Sequence, residues 1–207
     1  RLLGDSTGLV REFFQRQLSP EGAGRDRDGR PDLYYTIFAL AGLQAVDAEV
    51  PRDRVEAFLN SHGDGAALDF VHLSALARCW AVVGPERLPR GRGRALLERV
   101  EAFRKPDGGY EGDAKLAHGT AYGAFVALGA YEDLGHTPPH ILKLVQSLKR
   151  LEAPDGAWSN FPGARTGATN ATAGAVTLMR HLGFPVSEQV GDWLLAQAHP
   201  QGGFLAV

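Results

Sequence analysis

A single cysteine, Cys79, occurs among the 207 residues, so no disulfide bond can form within the chain. Disulfides are rare in reducing compartments, and we therefore expect a cytoplasmic protein. No apolar run approaches the roughly 20 residues that a membrane-spanning helix needs. The net charge of −2 lacks the basic excess typical of nucleic-acid-binding domains. These absences exclude a disulfide scaffold and predict neither a membrane span nor a nucleic-acid partner.

Strict alternation of apolar and polar residues is also missing, so no β-strand is expected. Two kinds of helical segment alternate along the chain instead. Segments such as LYYTIFALAGLQAV, which starts at Leu33, are apolar nearly all round and must be buried on most sides. Segments such as Arg94–Arg104 carry one apolar stripe, as amphipathic helices do. The pattern predicts about nine helices in an all-α fold, with the buried helices inside and the amphipathic helices outside.

A short glycine-containing loop recurs at intervals of roughly 45 residues, a period typical of repeat architectures. Each copy precedes one of the apolar helices, apart from the last. The five copies, from the best conserved pattern to the weakest, are Asp107–Tyr110, Asp155–Trp158, Gln201–Phe204, Ser61–Gly65 and Ser19–Gly22. Repeated helix hairpins with inner and outer layers predict an α/α toroid.

The last loop, Gln201–Phe204, is not followed by an inner helix. We therefore expect residues 1–207 to form a single toroid domain whose ring is open. On this interpretation the sequence is a fragment that lacks a terminal inner helix. A protein partner or a second copy of the chain would close the ring.

The aromatic residues of the repeats are expected to differ in their importance for stability. Phe58, Phe103 and Trp193 lie on the inward stripes of amphipathic helices. Tyr110 and Trp158 lie in the loops, where they are expected to act as anchors. We therefore expect truncation of the three helical aromatics to cost more stability than truncation of the two loop aromatics.

The loops DGGY and DGAW, with the segments TAYGAFVALG and NATAGAVTLMRHLG that follow them, resemble the repeats of protein prenyltransferase β subunits and squalene/hopene-type cyclases. The segment RPDLYYTIFALAGLQAV is similar to the prenyltransferase segment D-x-Y-H-T and its following apolar helix. This resemblance covers almost the whole chain. It implies an α/α toroid that handles an isoprenoid in a central cavity.

The resemblance also implies a catalytic zinc ion bound by an Asp, a Cys two residues later and the His of D-x-Y-H-T. On this chain these positions fall on Gly119, Ala121 and Tyr35, none of which carries a carboxylate, thiolate or imidazole. Cys79 falls in the apolar segment ALARCWAVV, where a buried cysteine is expected. The D-x-D-D motif of the cyclases and the G-C-G-E-Q motif of the complement thioester toroids are both absent. We therefore expect no zinc and no other cofactor.

Polar and aromatic residues near the starts of the inner helices are the candidate ligand contacts: Asp32, Tyr34, Tyr35, Lys115, His118 and Tyr122. The three tyrosines would form an aromatic wall suited to an isoprenoid chain, although plain core packing is the alternative for them. Lys115 and His118 would hold an anionic head group, because a helix N-terminus attracts anions. A capping role or a buried hydrogen bond is the alternative for His118.

Three further residues of the inner helices carry weaker expectations. His72, within DFVHLSAL, is expected to be a core histidine. If Gly123 and Ala124 face the cavity, a leucine at either position is expected to block a ligand.

Three functions remain open at this level. The first is an enzyme of the prenyltransferase type that acts on an isoprenoid diphosphate without the usual zinc. The second is a non-catalytic binder that keeps the cavity for a long apolar ligand. The third is an interaction scaffold that pairs with another protein chain, as prenyltransferase β subunits pair with an α subunit.

Overall fold

The computed structural model describes residues 4–205, and nine α-helices lie within that range, joined by loops and one short hairpin. The helices are α1 (Thr7–Gln17), α2 (Leu33–Ala45), α3 (Arg52–Ser61), α4 (Phe70–Val83), α5 (Arg92–Glu101), α6 (Ala121–Asp133), α7 (Ile141–Lys149), α8 (Thr169–His181) and α9 (Gln189–Ala196). The mostly helical fold confirms the expected helical class.

The hairpin was not expected from the sequence. It pairs β1 (Gly24–Arg25) with β2 (Pro31–Asp32) in antiparallel register, with Gly24 opposite Asp32. Strands of two residues are too short to show alternation, and a turn with Gly29 at a φ of +80° closes them. Within residues 4–205, no helix is both long enough and apolar enough to cross a membrane.

The chain divides into two compact units. The first unit comprises residues 1–102 and 129–136, and the second comprises residues 103–128 and 137–207. Helix α6 therefore contributes its first eight residues to the second unit and the remainder to the first.

In the first unit, the core is built on the contact between α2 and α4. Helix α4 buries nine of its 14 residues, including Trp80, and helix α2 buries six of its 13, including Leu40. Helices α3 and α5 pack against α4 and bury only one stripe each, such as Val55 and Leu59 on α3. The alternation of buried and amphipathic helices predicted from the sequence is thus confirmed in this unit.

The five loops of the repeat share one feature of the backbone, a turn that ends on a glycine with positive φ. In each loop a glycine has a φ between +77° and +98°, and its N–H donates to the carbonyl three residues earlier at 2.8 to 3.0 Å. Glycine reaches this left-handed region without steric cost, which explains why the loops keep it. The five glycines are Gly22, Gly65, Gly108, Gly156 and Gly202.

Each of the two best-preserved loops is tied to the helix that follows it by an aspartate. The carboxylate of Asp155 accepts the N–H of Gly167 with both oxygens, at 3.0 and 3.2 Å. Asp107 accepts the N–H of Gly119 in the same way, at 3.1 Å from each oxygen. The recurrence of this contact shows that the sequence repeat is also a structural repeat within the second unit.

Two of the loop aromatics are more deeply buried than the three aromatics assigned to the amphipathic stripes. Tyr110 and Trp158 are almost fully buried, whereas Phe58, Phe103 and Trp193 are only half-buried. The premise of the expected order of stability losses is therefore wrong, and the larger losses are now expected at Tyr110 and Trp158. Both of these loops turn back on the end of the preceding helix through a short antiparallel bridge, Arg104 to Tyr110 and Glu152 to Trp158.

Candidate functional site

The starts of α2 and α4 each carry an aspartate as the N-cap residue. Asp32 accepts the backbone N–H of Tyr35 through Oδ1 at 2.9 Å. Asp69 accepts the backbone N–H of His72 through Oδ1, also at 2.9 Å. These bonds satisfy N–H groups that a helix start leaves unpaired, and they place negative charge where the helix dipole favours it.

The imidazole of His72 lies between these two carboxylates. Its Nδ1 is 2.8 Å from Asp69 Oδ1, and its Nε2 is 3.1 Å from Asp32 Oδ2. The side chain of His72 is 32% exposed and so is reachable by solvent. The expectation of a core histidine is therefore wrong, because the ring turns back over the first turn of α4 toward the start of α2. We call Asp32, His72 and Asp69 the Asp–His–Asp cluster.

The sequence contains a signal for this cluster, although the residue types alone did not predict it. Asp32 and Asp69 both stand immediately before an apolar helix, and His72 follows Asp69 by three residues, at the position that faces back over the cap. The pairing of the two helix starts depends on tertiary packing, which the spacing alone does not reveal.

Electrostatics in the cluster favour a charged histidine. Burial lowers the pKa of His72, but the hydrogen bonds to Asp69 and Asp32 outweigh it, and the net pKa is raised above 6.5. Burial raises the pKa of Asp69, yet the hydrogen bonds from the backbone and ring of His72 bring it below 3.8. A histidine held in this way can take up and release a proton near neutral pH.

His62 lies close enough to His72 for the charge of His72 to affect its pKa. Burial, and then the charge of His72, lower the pKa of His62. Its Nε2 is buried without a hydrogen-bond partner among the described residues, and its ring packs edge-on against Phe58 at a centroid distance of 4.9 Å. His62 is therefore the neutral member of the histidine pair.

An aromatic group follows Asp32 on α2. Tyr34 and Phe38, one helical turn apart, are both exposed, and their rings meet edge to face with centroids 4.9 Å apart. Tyr35 is half-buried and contacts Tyr34 at 5.8 Å between ring centroids. Helix α2 is otherwise an apolar, buried helix, so this exposed stripe is unusual. We call Tyr34 and Phe38 the α2 aromatic pair.

The second unit has a comparable stripe on the first turns of α6. Tyr122 is 51% exposed and Phe125 is 45% exposed, although most of their neighbours in this helix are buried. We call these two residues the α6 aromatic pair. Thus the candidate residues Asp32, Tyr34 and Tyr35 belong to the first unit, and Tyr122 belongs to the second together with Lys115 and His118.

His118 and Lys115 lie in the loop before α6. The Nδ1 of His118 is 2.9 Å from the carbonyl oxygen of Gly119, and its ring faces Phe161 edge-on at 6.4 Å between centroids. Lys115 is exposed, and its backbone N–H donates to Asp113 at 2.8 Å. The alternative of a local hydrogen bond for His118 is therefore the one that the contacts favour.

The start of α6 offers few free donors to an anion. The N–H of Ala121 donates to Asn160 at 3.2 Å, and the N–H of Gly123 donates to the hydroxyl of Thr120 at 2.9 Å. That hydroxyl in turn donates to the carboxylate of Glu111 at 2.7 Å. Paired amides and a nearby negative charge both disfavour an anionic head group at this helix start.

Gly123 and Ala124 do not face a cavity, so that expectation is wrong. A Cβ added to Gly123 would collide with the backbone carbonyl of Tyr110, and Ala124 is fully buried. The small residues of α6 instead allow the DGGY loop to approach the helix backbone closely.

The positions that the resemblance assigns to zinc are occupied by Tyr35, Gly119 and Ala121. Cys79 is fully buried in α4, burial raises the pKa of its thiol, and its Sγ is 4.0 Å from the carbonyl oxygen of Leu33. In the part of the chain that the structure describes, no group of three His, Cys, Asp or Glu side chains could hold a metal ion.

Two open surface depressions of about 850 and 590 Å³ occur in the first unit. Both are lined largely by polar and charged side chains, including Glu49 and Arg54. Neither includes a residue of the Asp–His–Asp cluster or of the α2 aromatic pair. Compared with models of known protein families and with curated protein sequences, the chain gives no match to either.

Proposed function

We propose that this chain is an α/α toroid similar to prenyltransferases and squalene cyclases, and that it binds an isoprenoid or another long apolar ligand without a catalytic zinc ion. The toroid is supported by the alternation of buried and amphipathic helices and by the five loops that share a glycine turn. Both features are typical of stacked helix hairpins.

The observation that carries the ligand proposal is the exposure of aromatic side chains on helices that are otherwise buried. Such helices normally have every apolar side covered. Here the α2 aromatic pair and the α6 aromatic pair remain in contact with solvent. Large exposed apolar groups in a soluble domain mark binding surfaces, and aromatic rings suit the flat, unsaturated chain of an isoprenoid.

The Asp–His–Asp cluster adds chemistry to one of these surfaces. Asp32 precedes Tyr34 by two residues, so a ligand that lies on the α2 aromatic pair would have a proton-exchanging group at one end. If the ligand is transformed, the protein is a transferase of the prenyltransferase type. Binding alone requires only the aromatic surface.

The test is a titration of the protein with a fluorescent prenyl diphosphate and with the corresponding uncharged prenyl alcohol. We expect saturable binding of both. Tyr34→Ala combined with Phe38→Ala should weaken binding at least about tenfold, because covering one aromatic ring stabilises by roughly 1.5–3 kcal/mol. The same double change in the α6 aromatic pair tests the second unit separately.

Leu142→Ala is the matched control for these variants. Leu142 is an exposed apolar residue of α7, an amphipathic helix, so its truncation should leave both affinities unchanged. Lys115→Ala with His118→Ala tests the predicted head-group contacts. If the double variant binds the diphosphate more weakly than the unaltered chain but binds the alcohol equally well, those contacts are supported. If it binds the diphosphate as tightly as the unaltered chain, Lys115 and His118 are not part of the site.

Absence of saturable binding by either probe would overturn the ligand proposal and favour the interaction scaffold. One observation supports the scaffold independently: α1 buries none of its side chains and exposes Leu9 and Phe13 one turn apart. If that face pairs with another copy of the chain, sedimentation equilibrium should give a mass above 22.2 kDa, and Phe13→Glu should return it to the monomer value.

A further inference from the structure

The two contacts of the His72 ring require a particular protonation state of the imidazole. A neutral imidazole has one N–H donor and one lone pair, whereas the imidazolium has two donors. Both ring nitrogens of His72 face a carboxylate oxygen, at 2.8 and 3.1 Å. Only the imidazolium can donate to both carboxylates. In the neutral form, one nitrogen lone pair would face a negatively charged oxygen.

The two carboxylates belong to different helices. Asp69 caps α4, the helix that carries His72, and Asp32 caps α2. Asp32 uses Oδ1 for the first turn of its own helix and Oδ2 for His72. The ring therefore joins the starts of two helices, and His72 is 40 residues from Asp32 in the sequence. Because α2 and α4 form the core contact of the first unit, this link closes one end of that core.

We propose that His72 is a pH-operated clasp, which holds the starts of α2 and α4 together when the imidazole is protonated and releases Asp32 or Asp69 when it is not. Release frees one carboxylate and loosens the adjoining first turn. The clasp depends only on contacts within the first unit, and so it does not require the ligand proposed above.

Three titratable groups face His72. Asp69 comes from its own helix, Asp32 from α2, and His62 from the turn after α3. The two carboxylates stabilise the charged ring, whereas burial and the charge of His72 lower the pKa of His62. Other described ion pairs of the first unit, such as Arg99 with Asp64, lie outside the cluster.

The pH range of the clasp follows from the directions of the two pKa shifts. The pKa of His72 is raised, so its contribution to stability is complete below 6.5 and is lost as pH rises through the higher folded value. The pKa of Asp69 is lowered, so its contribution is complete above 3.8 and is lost as pH falls through the folded value. The clasp is therefore closed in mildly acidic solution and opens toward alkaline pH.

The direct test is nitrogen-15 NMR of the histidine side chains of the intact chain across a pH titration. At about pH 6 we expect both ring nitrogens of His72 to have protonated shifts, with a midpoint above 6.5, the ordinary value of a histidine. Asp32→Asn should lower the His72 midpoint. A neutral tautomer of His72 at that pH, or a midpoint at or below 6.5, would refute the clasp.

Amide hydrogen exchange tests the loosening itself. After correction for the intrinsic effect of pH, protection at the first turns of α2 and α4 should fall as pH rises past the His72 midpoint. The fall should reach at most about tenfold per pH unit, the limit for one proton. His72→Gln should abolish this dependence, and His136→Gln should leave it as in the unaltered chain. Equal pH dependence with and without His72 would overturn the proposed release.

Discussion

Replacing Trp158 with alanine tests the finding that the loop aromatics belong to the core. Trp158 is 3% exposed, and its Nε1 donates to the carbonyl oxygen of Leu148 at 3.0 Å. Truncation of a buried tryptophan costs about 3–5 kcal/mol. The carbonyl of Leu148 would also lose a partner in a buried place, which adds on the order of 1 kcal/mol. We therefore expect the free energy of unfolding to fall by about 4–6 kcal/mol.

The repeat supplies a matched control for this variant. Phe204 occupies the same loop position as Trp158, with the same short bridge to the preceding helix end, but it is 59% exposed. Phe204→Ala removes a similar ring from the same backbone setting. We expect it to cost no more than about 1 kcal/mol, because most of the ring is already in water.

Urea denaturation followed by far-ultraviolet circular dichroism measures both variants without relying on tryptophan fluorescence, which the change itself would alter. The slope of the transition should stay similar, so that the midpoints report stability. Equal losses for Trp158→Ala and Phe204→Ala would refute the assignment of the loop aromatics to the core. A loss at Trp158 no larger than at the half-buried Trp193 would contradict it as well.

Two further predictions concern α6 and the metal. Gly123→Ala should destabilise the protein by about 1–3 kcal/mol, because its Cβ would collide with the carbonyl of Tyr110. Gly129→Ala, in the same helix with no atom within 4 Å of the new Cβ, should instead stabilise it by about 0.5–1 kcal/mol, so similar effects at both sites in thermal unfolding would contradict the close loop approach. Purified protein should contain far less than one zinc ion per chain by elemental analysis, since Tyr35, Gly119 and Ala121 replace the ligands of the family it resembles. Stoichiometric zinc that chelation removes together with ligand binding would reverse that conclusion.

The helix positions could be predicted from the sequence because the periodicity of apolar residues is a local property. The apolar segment from Leu33 becomes α2, and the glycine loops adopt the left-handed conformation that only glycine reaches easily. N-capping by Asp32 was also predictable, since an aspartate before an apolar helix satisfies its first N–H groups. Each of these features depends on residues within a few positions of one another.

The sequence did not predict which side of an apolar helix is exposed. Helix α2 is apolar all round, so its sequence has no periodic signal to show that Tyr34 and Phe38 face solvent while Leu40 is buried. Likewise, Gly123 looks like a residue that leaves room, whereas the space beside it is filled by the backbone of Tyr110. Both outcomes depend on which element packs against the helix, and that element is distant in sequence.

The sequence by itself determined the helices, their alternation and the conformation of the repeated loops, because local propensity and hydrogen bonding govern all three. Tertiary structure alone decided the burial of Trp158 and the contact of His72 with Asp32. Burial and charge pairing arise between segments that are far apart in the chain, so their energies depend on packing that no local pattern encodes. For this reason the Asp–His–Asp cluster, which depends on the packing of α2 against α4, could not be predicted from the sequence.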